Sequence, residues 1–575
     1  MKLLIVGGYG TFGGRLVDLL KNEPHLELIV AGRSLERATA FCSTRRAAGA
    51  HLVPSNAQLV PAKFDRLQHV ADQLQALAPD VVVDASGPFQ AYGEGCYRLI
   101  EACIAQRRHY LDLADASEFV SGVRSYDESA RAAGVYILSG VSSFPVLTAA
   151  VVRRLAKTMA RVDSIRGGIA PSPYASVGAN VIRAIAGYAG RPVMLRNRWT
   201  FTFAESLRYT VAPPGRVPLT NTLFSLVDVP DLRVLADLRP EAREIWMGAG
   251  PTPEMLHGML IAFAYLVRLR VLRSLTFLAG LMHFVTNQVR WGEHRGGMFV
   301  VVAGSDAAGI QLQRSWHLLA EGDDGPFIPS MAVEALVRKA LEGSAPKPGA
   351  RPALNELELE DYEALFAKRT IFCGTRDDLA ESSAPLFARL LGDAWLQLPD
   401  AIRQIHTVAT RKSASGRCNI QRGTHVLSRW IGALFRFPEA GDDVPVTVRF
   451  KNEGGAQRWL RSFAGRVLAS RFVPGRGRNQ HLLCEQFGAF EFAQALSLEG
   501  DNSARPAAGC PDRLCFVLRR WSVFGLPLPL RWAPRSNSYE TVEAGRFRFH
   551  VEISHPLLGL LVRYQGWLDP DAQTP

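Results

Sequence analysis

Residues 1–13 combine a short apolar segment with a glycine-rich turn, and this combination restricts the fold more than any other feature of the chain. Lys2–Val6 is apolar enough to form a buried parallel strand, and Gly8, Gly10 and Gly13 follow it with the spacing G-x-G-x-x-G. The leucines of 15–21 then recur with the spacing of one helix face. A strand, a glycine turn and a helix in this order predict a unit that binds the phosphates of a dinucleotide at the helix N-terminus.

Each glycine of this turn has its own predicted role. Gly8 allows the tight turn, Gly10 lets the backbone approach a pyrophosphate, and Gly13 lets the helix pack against the strand. Thr11 and Phe12 lie between the last two glycines and belong to the same predicted site. A glycine-rich turn in an α/β protein that binds no nucleotide is the alternative interpretation.

The turn after the second predicted strand, 26–31, indicates which dinucleotide binds. Sites for NAD usually carry an acidic residue there, which holds the ribose 2′-hydroxyl, but this turn has no acid before Glu36. Arg33 offers a guanidinium for a 2′-phosphate, Ser34 offers a hydroxyl, and Arg37 adds charge one turn into the next helix. The pattern favours NADP over NAD, with a solvated loop arginine as the alternative interpretation of Arg33.

Strands and helices continue to alternate to about residue 150, which predicts a doubly wound parallel sheet of the Rossmann type. The further predicted strands are 59–63, 81–85, 109–113 and 135–138. Ligands of such sheets bind beyond the carboxyl ends of the strands. We therefore expect the segments that follow these strands to contribute to the site.

The predicted cofactor-binding set follows from these positions. Asp65 comes after the third strand, on the adenine side, and 86–89 comes after the fourth strand, against the nicotinamide ribose. The whole set is Gly8, Gly10, Thr11, Phe12, Gly13, Arg33, Ser34, Asp65, Ser86, Gly87, Pro88 and Phe89.

Candidates for catalysis are fewer. Hydride transfer needs a proton source beside the carbon that is reduced. Tyr110 and Asp112, on the fifth strand, are predicted to orient a substrate or relay a proton. A helix N-cap or a structural hydrogen bond is the alternative for each acid. The eight cysteines show no zinc-type spacing, so no metal site is predicted.

Five motifs together resemble a known family. In chain order they are GGYGTFG, AGR, DASGPFQAYG, HYLDLAD and SGVSSFPVL. They look like the NADP-binding domain of saccharopine dehydrogenase-like oxidoreductases over about 1–150, with a weaker likeness to about 345. The resemblance implies binding of NADP and, in characterised members, reversible reduction of an imine between an amino acid and an aldehyde-bearing partner. Substrate selection in that family lies in the later domain, which differs widely between members.

The rest of the chain predicts two further domains. Residues 151–345 read as an α+β domain for substrate binding and dimerisation, and the Pro- and Gly-rich start of 346–383 predicts a linker. In 384–569, apolar and polar residues alternate in 444–450 and 547–553, which predicts antiparallel strands in a curved sheet or barrel around an apolar interior. Four motifs of this last region are LLGDAWLQLP, VPVTVRF, FGLPLPLRWAPRS and ISHPLLGLLVRYQGWL. They resemble a bacterial C-terminal domain of unknown function, from which no activity is inferred.

Composition indicates what kind of partner the chain binds and in which compartment it functions. The chain has 575 residues and a formal net charge of +12, but its basic residues are scattered and no nucleic-acid module is recognisable. We therefore expect a small-molecule substrate and no nucleic acid. The cysteine usage fits a reducing cytoplasm, and no signal peptide is expected because 1–20 already reads as the first strand and helix.

Two apolar runs, in 255–267 and 274–289, raise the question of a membrane. Each is shorter than a spanning helix needs, and Arg268, Arg270 and Arg273 separate them. One interpretation is a helical hairpin packed in a domain or homodimer interface. The other is peripheral contact through 255–289, with the arginines near anionic headgroups.

Three functions follow from the sequence. The first is an NADP-dependent oxidoreductase that transfers hydride to or from a carbonyl or imine of an unidentified substrate. The second is a non-catalytic NADP-binding regulator or scaffold. The third is a membrane-peripheral protein whose C-terminal domain binds an apolar ligand.

Overall fold

The computed structural model describes residues 1–49, 56–251, 253–378, 384–500 and 513–571. The chain divides into two compact units. The first comprises Met1–Arg208 and Thr222–Ile371, and the second comprises Tyr209–Asn221 and Phe372–Pro575. Residues 379–383 of the predicted linker and 501–512 of the predicted third domain lie outside the described residues.

The first unit opens with a seven-stranded parallel sheet in the order β15-β6-β5-β4-β1-β2-β3. Its strands are β1 (Lys2–Val6), β2 (Glu27–Gly32), β3 (Gln58–Lys63), β4 (Val81–Asp84), β5 (His109–Asp112), β6 (Tyr136–Ser139) and β15 (Gly349–Pro352). The accompanying helices are α1 (Thr11–Leu20), α2 (Leu35–Gly49), α3 (Val70–Leu77), α4 (Arg98–Ala105), α5 (Ser117–Gly122) and α6 (Asp127–Ala133). The central strands are buried along their length, as expected when helices cover a parallel sheet. The predicted Rossmann-type sheet is confirmed.

A second, mixed sheet follows. Its strands in the first unit include β7 (Arg161–Ala170), β11 (Leu219–Leu226), β12 (Glu244–Ala249), β13 (Arg295–Ser305) and β14 (Gln311–Glu321). Of these, β12, β7, β13 and β14 are neighbours in that order. The chain passes between the two units within β10 (Ser206–Val211), β11 and β16 (Ile371–Asp377). A small hairpin consists of β8 (Pro192–Leu195) and β9 (Arg198–Phe201). The predicted α+β middle region is confirmed.

Seven helices that the structure describes in the first unit belong to this later part. They are α7 (Thr148–Leu155), α8 (Ala179–Tyr188), α9 (Asp231–Leu238), α10 (Glu254–Arg268), α11 (Ala279–Gln288), α12 (Ile328–Leu341) and α13 (Leu359–Phe366). Among the described residues, no helix is both long and apolar enough to cross a bilayer.

The linker predicted for 346–383 is corrected by the structure. Within it, Gly349–Pro352 forms β15, which pairs in parallel with β6 at the edge of the first sheet. Helix α13 follows and buries Leu359, Tyr362 and Phe366. Proline and glycine misled the prediction because an edge strand tolerates both, having one side free of ladder hydrogen bonds.

The second unit is mainly antiparallel. Its described helices are α14 (Leu386–Leu391), α15 (Asp400–His406) and α16 (Val426–Leu434). Its described strands are β17 (Arg411–Arg422), β18 (Gly441–Glu453), β19 (Ala456–Phe463), β20 (Arg466–Pro474), β21 (Leu483–Phe487), β22 (Phe490–Glu499), β23 (Arg513–Val523), β24 (Leu526–Leu528), β25 (Arg535–Glu543), β26 (Arg546–His555) and β27 (Gly559–Pro570). The strand order is β22-β21-β20-β19-β18-β17-β27-β26-β25-β23-β24. Because β22 also pairs with β23, the sheet closes into a barrel. The alternation in 444–450 and 547–553 falls in β18 and β26, as predicted.

Candidate dinucleotide site and adjoining cavity

The glycine turn lies between β1 and α1, at the carboxyl edge of the parallel sheet. The first backbone hydrogen bond of α1 runs from Gly14 N–H to Gly10 O, at 2.8 Å. The N–H groups of Thr11, Phe12 and Gly13 therefore precede the helical ladder, where an anion is bound most readily. This geometry fits the pyrophosphate of a dinucleotide.

Close packing accounts for two of the three predicted glycines. A Cβ on Gly13 would lie 2.3 Å from Gly7 O, and one on Gly8 would lie 2.9 Å from Ile5 O. A Cβ on Gly10 would meet only Gly7 within 4 Å, at 3.0 Å. Apart from this one close contact, the space around a Cβ at Gly10 is open, which suits the approach of a ligand.

Gly7 also belongs to the turn, although the G-x-G-x-x-G pattern did not single it out. Its φ is +80°, a value that favours glycine, and a Cβ there would lie 2.9 Å from Ala85 O. Its position directly after a buried strand was the available signal.

Tyr9 connects the glycine turn to the turn after β2. Its hydroxyl accepts a hydrogen bond from Ser34 N–H at 3.0 Å, and its ring lies 5.0 Å from the guanidinium carbon of Arg37. Arg33 is exposed beside Ser34. The structure therefore places Ser34 and Arg37 in contact with Tyr9, a residue that sequence spacing did not indicate. A contact of Arg33 with a 2′-phosphate stays a prediction.

Asp65 follows β3, and its carboxylate bonds the backbone of the same turn. Its Oδ1 accepts a hydrogen bond from Leu67 N–H at 2.9 Å, while its backbone groups bond the side-chain amide of Gln73. These contacts stabilise the turn. A contact of Asp65 with adenine stays a prediction.

The segment 86–89 after β4 is held by a buried ion pair. Arg66 Nε lies 3.1 Å from Asp84 Oδ2, and both side chains are at most 8% exposed. Asp84 Oδ1 accepts hydrogen bonds from the backbone N–H and the hydroxyl of Ser86. The ring of Tyr92 lies under the Arg66 guanidinium, 3.5 Å from its carbon, and the Tyr92 hydroxyl is 2.7 Å from Ser86 Oγ. The fold thus fixes the loop predicted to lie against the nicotinamide ribose.

Asn180, on α8, fixes the same loop from outside the parallel sheet. Its Nδ2 donates to Gly87 O at 2.8 Å and to Ser86 O at 3.3 Å. Phe89, which ends the segment, is buried against Tyr92 and Phe119. Sequence reasoning missed Asn180 because it is more than 90 residues away from the loop it anchors.

Tyr110 and Asp112 are both fully buried in β5. Oδ1 of Asp112 accepts three hydrogen bonds, from Ala114 N–H, Gly140 N–H and Ser139 Oγ. Burial raises the pKa of Asp112 to about 7, although these hydrogen bonds oppose the rise. The geometry matches the structural alternative for Asp112, and a catalytic role for either residue stays a prediction.

A second polar group, which the predicted site set did not include, surrounds Asp115 beyond the end of β5. Gln90 Nε2 donates to Asp115 Oδ1 at 3.1 Å. Burial raises the pKa of Asp115, and the neighbouring charge of Asp228 raises it further. Ser117 Oγ donates to Asp228 Oδ1 at 2.7 Å, and both acids raise the pKa of Tyr188 in addition to its burial. This group can hold a proton near the carboxyl edge of the sheet.

An apolar cavity of about 560 Å³ adjoins the start of α1. Thr11 and Phe12 form part of its wall, and apolar side chains of α8, α10 and α11 form much of the rest. Cavities of about this size hold small organic ligands in other proteins. Within the described part of the chain, no cluster of three or more His, Cys, Asp or Glu side chains is placed to hold a metal ion.

Two family models match the sequence. Residues 3–138 match the saccharopine dehydrogenase NADP binding domain, and residues 398–568 match Domain of unknown function (DUF4166). Both resemblances drawn from the motifs are thereby confirmed. No curated protein matches the sequence.

Solved structures of dehydrogenases are similar at low identity. Apo saccharopine dehydrogenase (L-Glu forming) from Saccharomyces cerevisiae is 14% identical, with a TM-score of 0.44, over 65% of this chain and 99% of that chain. The meso-dapdh mutant with DAP from Clostridium tetani is 15% identical, with a TM-score of 0.29, over 63% of this chain and 95% of that chain. WlbA (WbpB) dehydrogenase from Thermus thermophilus, in complex with NAD and alpha-ketoglutarate, is 11% identical, with a TM-score of 0.27, over 60% of this chain and 91% of that chain.

The matched N-terminal domain supports an NAD(P)-dependent oxidoreductase in general, with a nicotinamide dinucleotide as the cofactor.

Proposed function

We propose that the chain is an NADP-dependent oxidoreductase that transfers hydride to or from a carbonyl or imine. The observation that carries this proposal is the arrangement at the end of β2. There Ser34 N–H bonds the Tyr9 hydroxyl, Arg37 lies over the Tyr9 ring, and Arg33, next to Ser34 in sequence, is exposed. Two guanidinium groups and a hydroxyl suit a 2′-phosphate, whereas a 2′-hydroxyl is usually held by a carboxylate.

The other residues then have separate tasks. The N–H groups at the start of α1 would hold the pyrophosphate, and 86–89 would lie against the nicotinamide ribose. When bound, NADPH would supply a hydride to the carbonyl or imine carbon. The oxygen or nitrogen of that bond takes a proton, for which we propose the group of Asp115, Tyr188 and Asp228, because Asp115 keeps a proton more readily than an exposed carboxyl does.

The apolar cavity beside the start of α1 favours a substrate that is partly apolar. Among the residues that line this cavity, Val181, Ile182 and Ile185 come from α8, and Leu260 and Phe263 come from α10. Removing apolar surface of a ligand from water contributes about 25 cal/mol per Å² to binding. We propose that a carbonyl or imine on a largely apolar molecule is bound here.

Turnover assays separate this proposal from a non-catalytic NADP-binding regulator. The purified chain is mixed with NADPH and a panel of long-chain and short-chain aldehydes, each with and without an added primary amine. Oxidation of NADPH that is faster with the long-chain members supports the proposal. Tight NADPH binding without any oxidation across the panel supports the regulator instead.

A second candidate function, peripheral membrane contact through 255–289, is favoured by the surface of α10, α11 and the turn before α11. Met259, Phe277, Leu281 and Phe284 are 50–69% exposed. Arg270 and Arg273, between the helices, are exposed as well. Apolar side chains flanked by arginines suit an anionic lipid surface.

Vesicle sedimentation tests this contact. The wild-type chain should sediment with vesicles that contain anionic lipid and much less with neutral vesicles. Phe277→Ser with Phe284→Ser should abolish sedimentation, whereas Trp199→Ser, at an exposed aromatic on β9, should not. If light scattering gives the mass of a dimer for the wild type and the mass of a monomer for the double variant, this surface belongs to a homodimer interface instead.

A further inference from the structure

The barrel of the second unit encloses a cavity of about 450 Å³. Its wall is largely aromatic and includes Phe450, Trp459, Phe472, Phe492, Phe516 and Phe547. Small barrels that serve only as scaffolds fill their interior with side chains, whereas ligand-carrying barrels leave space of this kind. The free volume therefore indicates a binding site inside the barrel.

The charged side chains Arg461, Glu485 and Glu540 of the wall have partners within the protein. Arg461 Nη2 donates to Glu485 Oε1 at 3.0 Å, and Arg461 Nη1 donates to Ser470 Oγ at 2.9 Å. Glu540 lies 2.5 Å from Nε2 of the buried His406. Because Arg461, Glu485 and Glu540 each have a partner in the protein, the described wall residues present no isolated Arg, Lys, Asp or Glu side chain to an ionised group of a ligand. An uncharged ligand fits best.

Two residues of the cavity wall are exposed apolar side chains. Leu434, on α16, and Trp532 belong to the cavity wall and are also 72% and 55% exposed, so the cavity reaches the surface there. Their neighbours in sequence, Trp430 and Leu530, are exposed too. Singly exposed apolar residues need no explanation, but a group at the opening of an apolar cavity marks a ligand entrance.

We propose that this barrel binds a long-chain uncharged lipid, with the hydrocarbon chain among the aromatic side chains and a hydroxyl or carbonyl end toward Leu434 and Trp532. The site lies wholly within the second unit. The proposal is independent of the oxidoreductase activity proposed above, which depends on residues of the first unit.

Photolabelling of the full-length chain tests the proposal. The probe is hexadecanol with a diazirine on its chain, and labelled peptides are identified by mass spectrometry. We expect label on β-strands of the barrel, with protection by unlabelled hexadecanol and much weaker protection by palmitate.

Three variants test the location of the site, two that fill the wall of the cavity and one control. Val551→Trp places bulk on a wall residue of the cavity, and we expect it to lower the barrel label about tenfold, equivalent to about 1.4 kcal/mol. Val467→Trp makes the same change at an outward, exposed position of β20 and should leave the label unchanged. Ser538→Leu is a smaller filling of the same wall, and it serves if Val551→Trp lowers the melting temperature. Label confined to the first unit, or label insensitive to both filling variants in folded protein, would overturn the proposal.

Discussion

Tyr9 and Ser34 are joined by a hydrogen bond of 3.0 Å, from the backbone N–H of Ser34 to the tyrosine hydroxyl. The bond ties the glycine turn to the turn after β2. In the proposed complex these two turns hold the two phosphate groups of NADP, the pyrophosphate and the 2′-phosphate. Their relative position is therefore fixed before the cofactor binds, which reduces the ordering that binding requires.

Removing that hydroxyl should weaken NADPH binding. Tyr9→Phe keeps the ring under Arg37 but loses the acceptor for Ser34, and one hydrogen bond of this kind is worth about 0.5–1.5 kcal/mol. We expect NADPH affinity to fall about two- to tenfold by calorimetry. Tyr126→Phe removes a hydroxyl bonded to Glu101 away from the turns and should leave the affinity unchanged. Equal affinities of all three proteins would contradict this role of Tyr9.

Substitutions of Gly10 and Gly13 should have different effects, because Gly10 is predicted to contact the cofactor and Gly13 is closely packed. Gly10→Val should remain folded yet lose NADPH binding, because its side chain enters space next to the helix N-terminus. Gly13→Ala should lower the melting temperature strongly, since its Cβ would lie 2.3 Å from Gly7 O. Gly187→Ala, on α8 with nothing within 4 Å of the added Cβ, is the control. A Gly10→Val protein that binds NADPH like the wild type would contradict the assignment of the turn.

The ion pair between Arg66 and Asp84 should matter for stability. Arg66→Met leaves the fully buried Asp84 without its cation, and loss of one partner of a buried pair costs about 3–5 kcal/mol. Combining it with Asp84→Asn should recover much of that loss, although Ser86 then keeps a weaker acceptor. Urea unfolding of the two single variants and the double variant measures the coupling. Losses that simply add would show that the two side chains act independently.

Because of the raised pKa of Asp112, we expect the free energy of unfolding to fall as the pH rises. Its folded pKa of about 7 lies above the ordinary carboxyl value of about 3.8. Between these values the unfolded chain releases a proton that the folded chain retains, so rising pH favours unfolding. Asp112→Asn removes this dependence and should gain stability relative to wild type between pH 5 and pH 8. A constant difference in melting temperature between the two proteins at both pH values would contradict the assignment.

Local patterns in the sequence predicted much of the fold. The buried strands, the glycine turn and the alternation in the barrel strands each depend on neighbours in the sequence, so periodicity and spacing reveal them. The linker prediction was wrong because β15 is defined by its pairing with β6, more than 200 residues earlier. Composition alone does not record such pairing.

The candidate site was predicted in part for the same reason. Arg33, Ser34 and the turn glycines follow strands directly, and their positions could be read from the chain. Asn180 and Asp228 reach the site from the second half of the first unit, through hydrogen bonds to residues about 100 positions away. Contacts of this kind need the tertiary structure.

Cofactor titration of the full-length chain tests the central claim most directly. Calorimetry should give an affinity for NADPH at least about tenfold above that for NADH, because charge-assisted contacts to the 2′-phosphate contribute about 1.5–3 kcal/mol. Arg33→Ala should lose this preference by weakening NADPH alone, and Arg449→Ala, at an exposed position of the barrel, should retain it. Equal wild-type affinities for the two cofactors, or an Arg33→Ala protein that loses both equally, would contradict the claim.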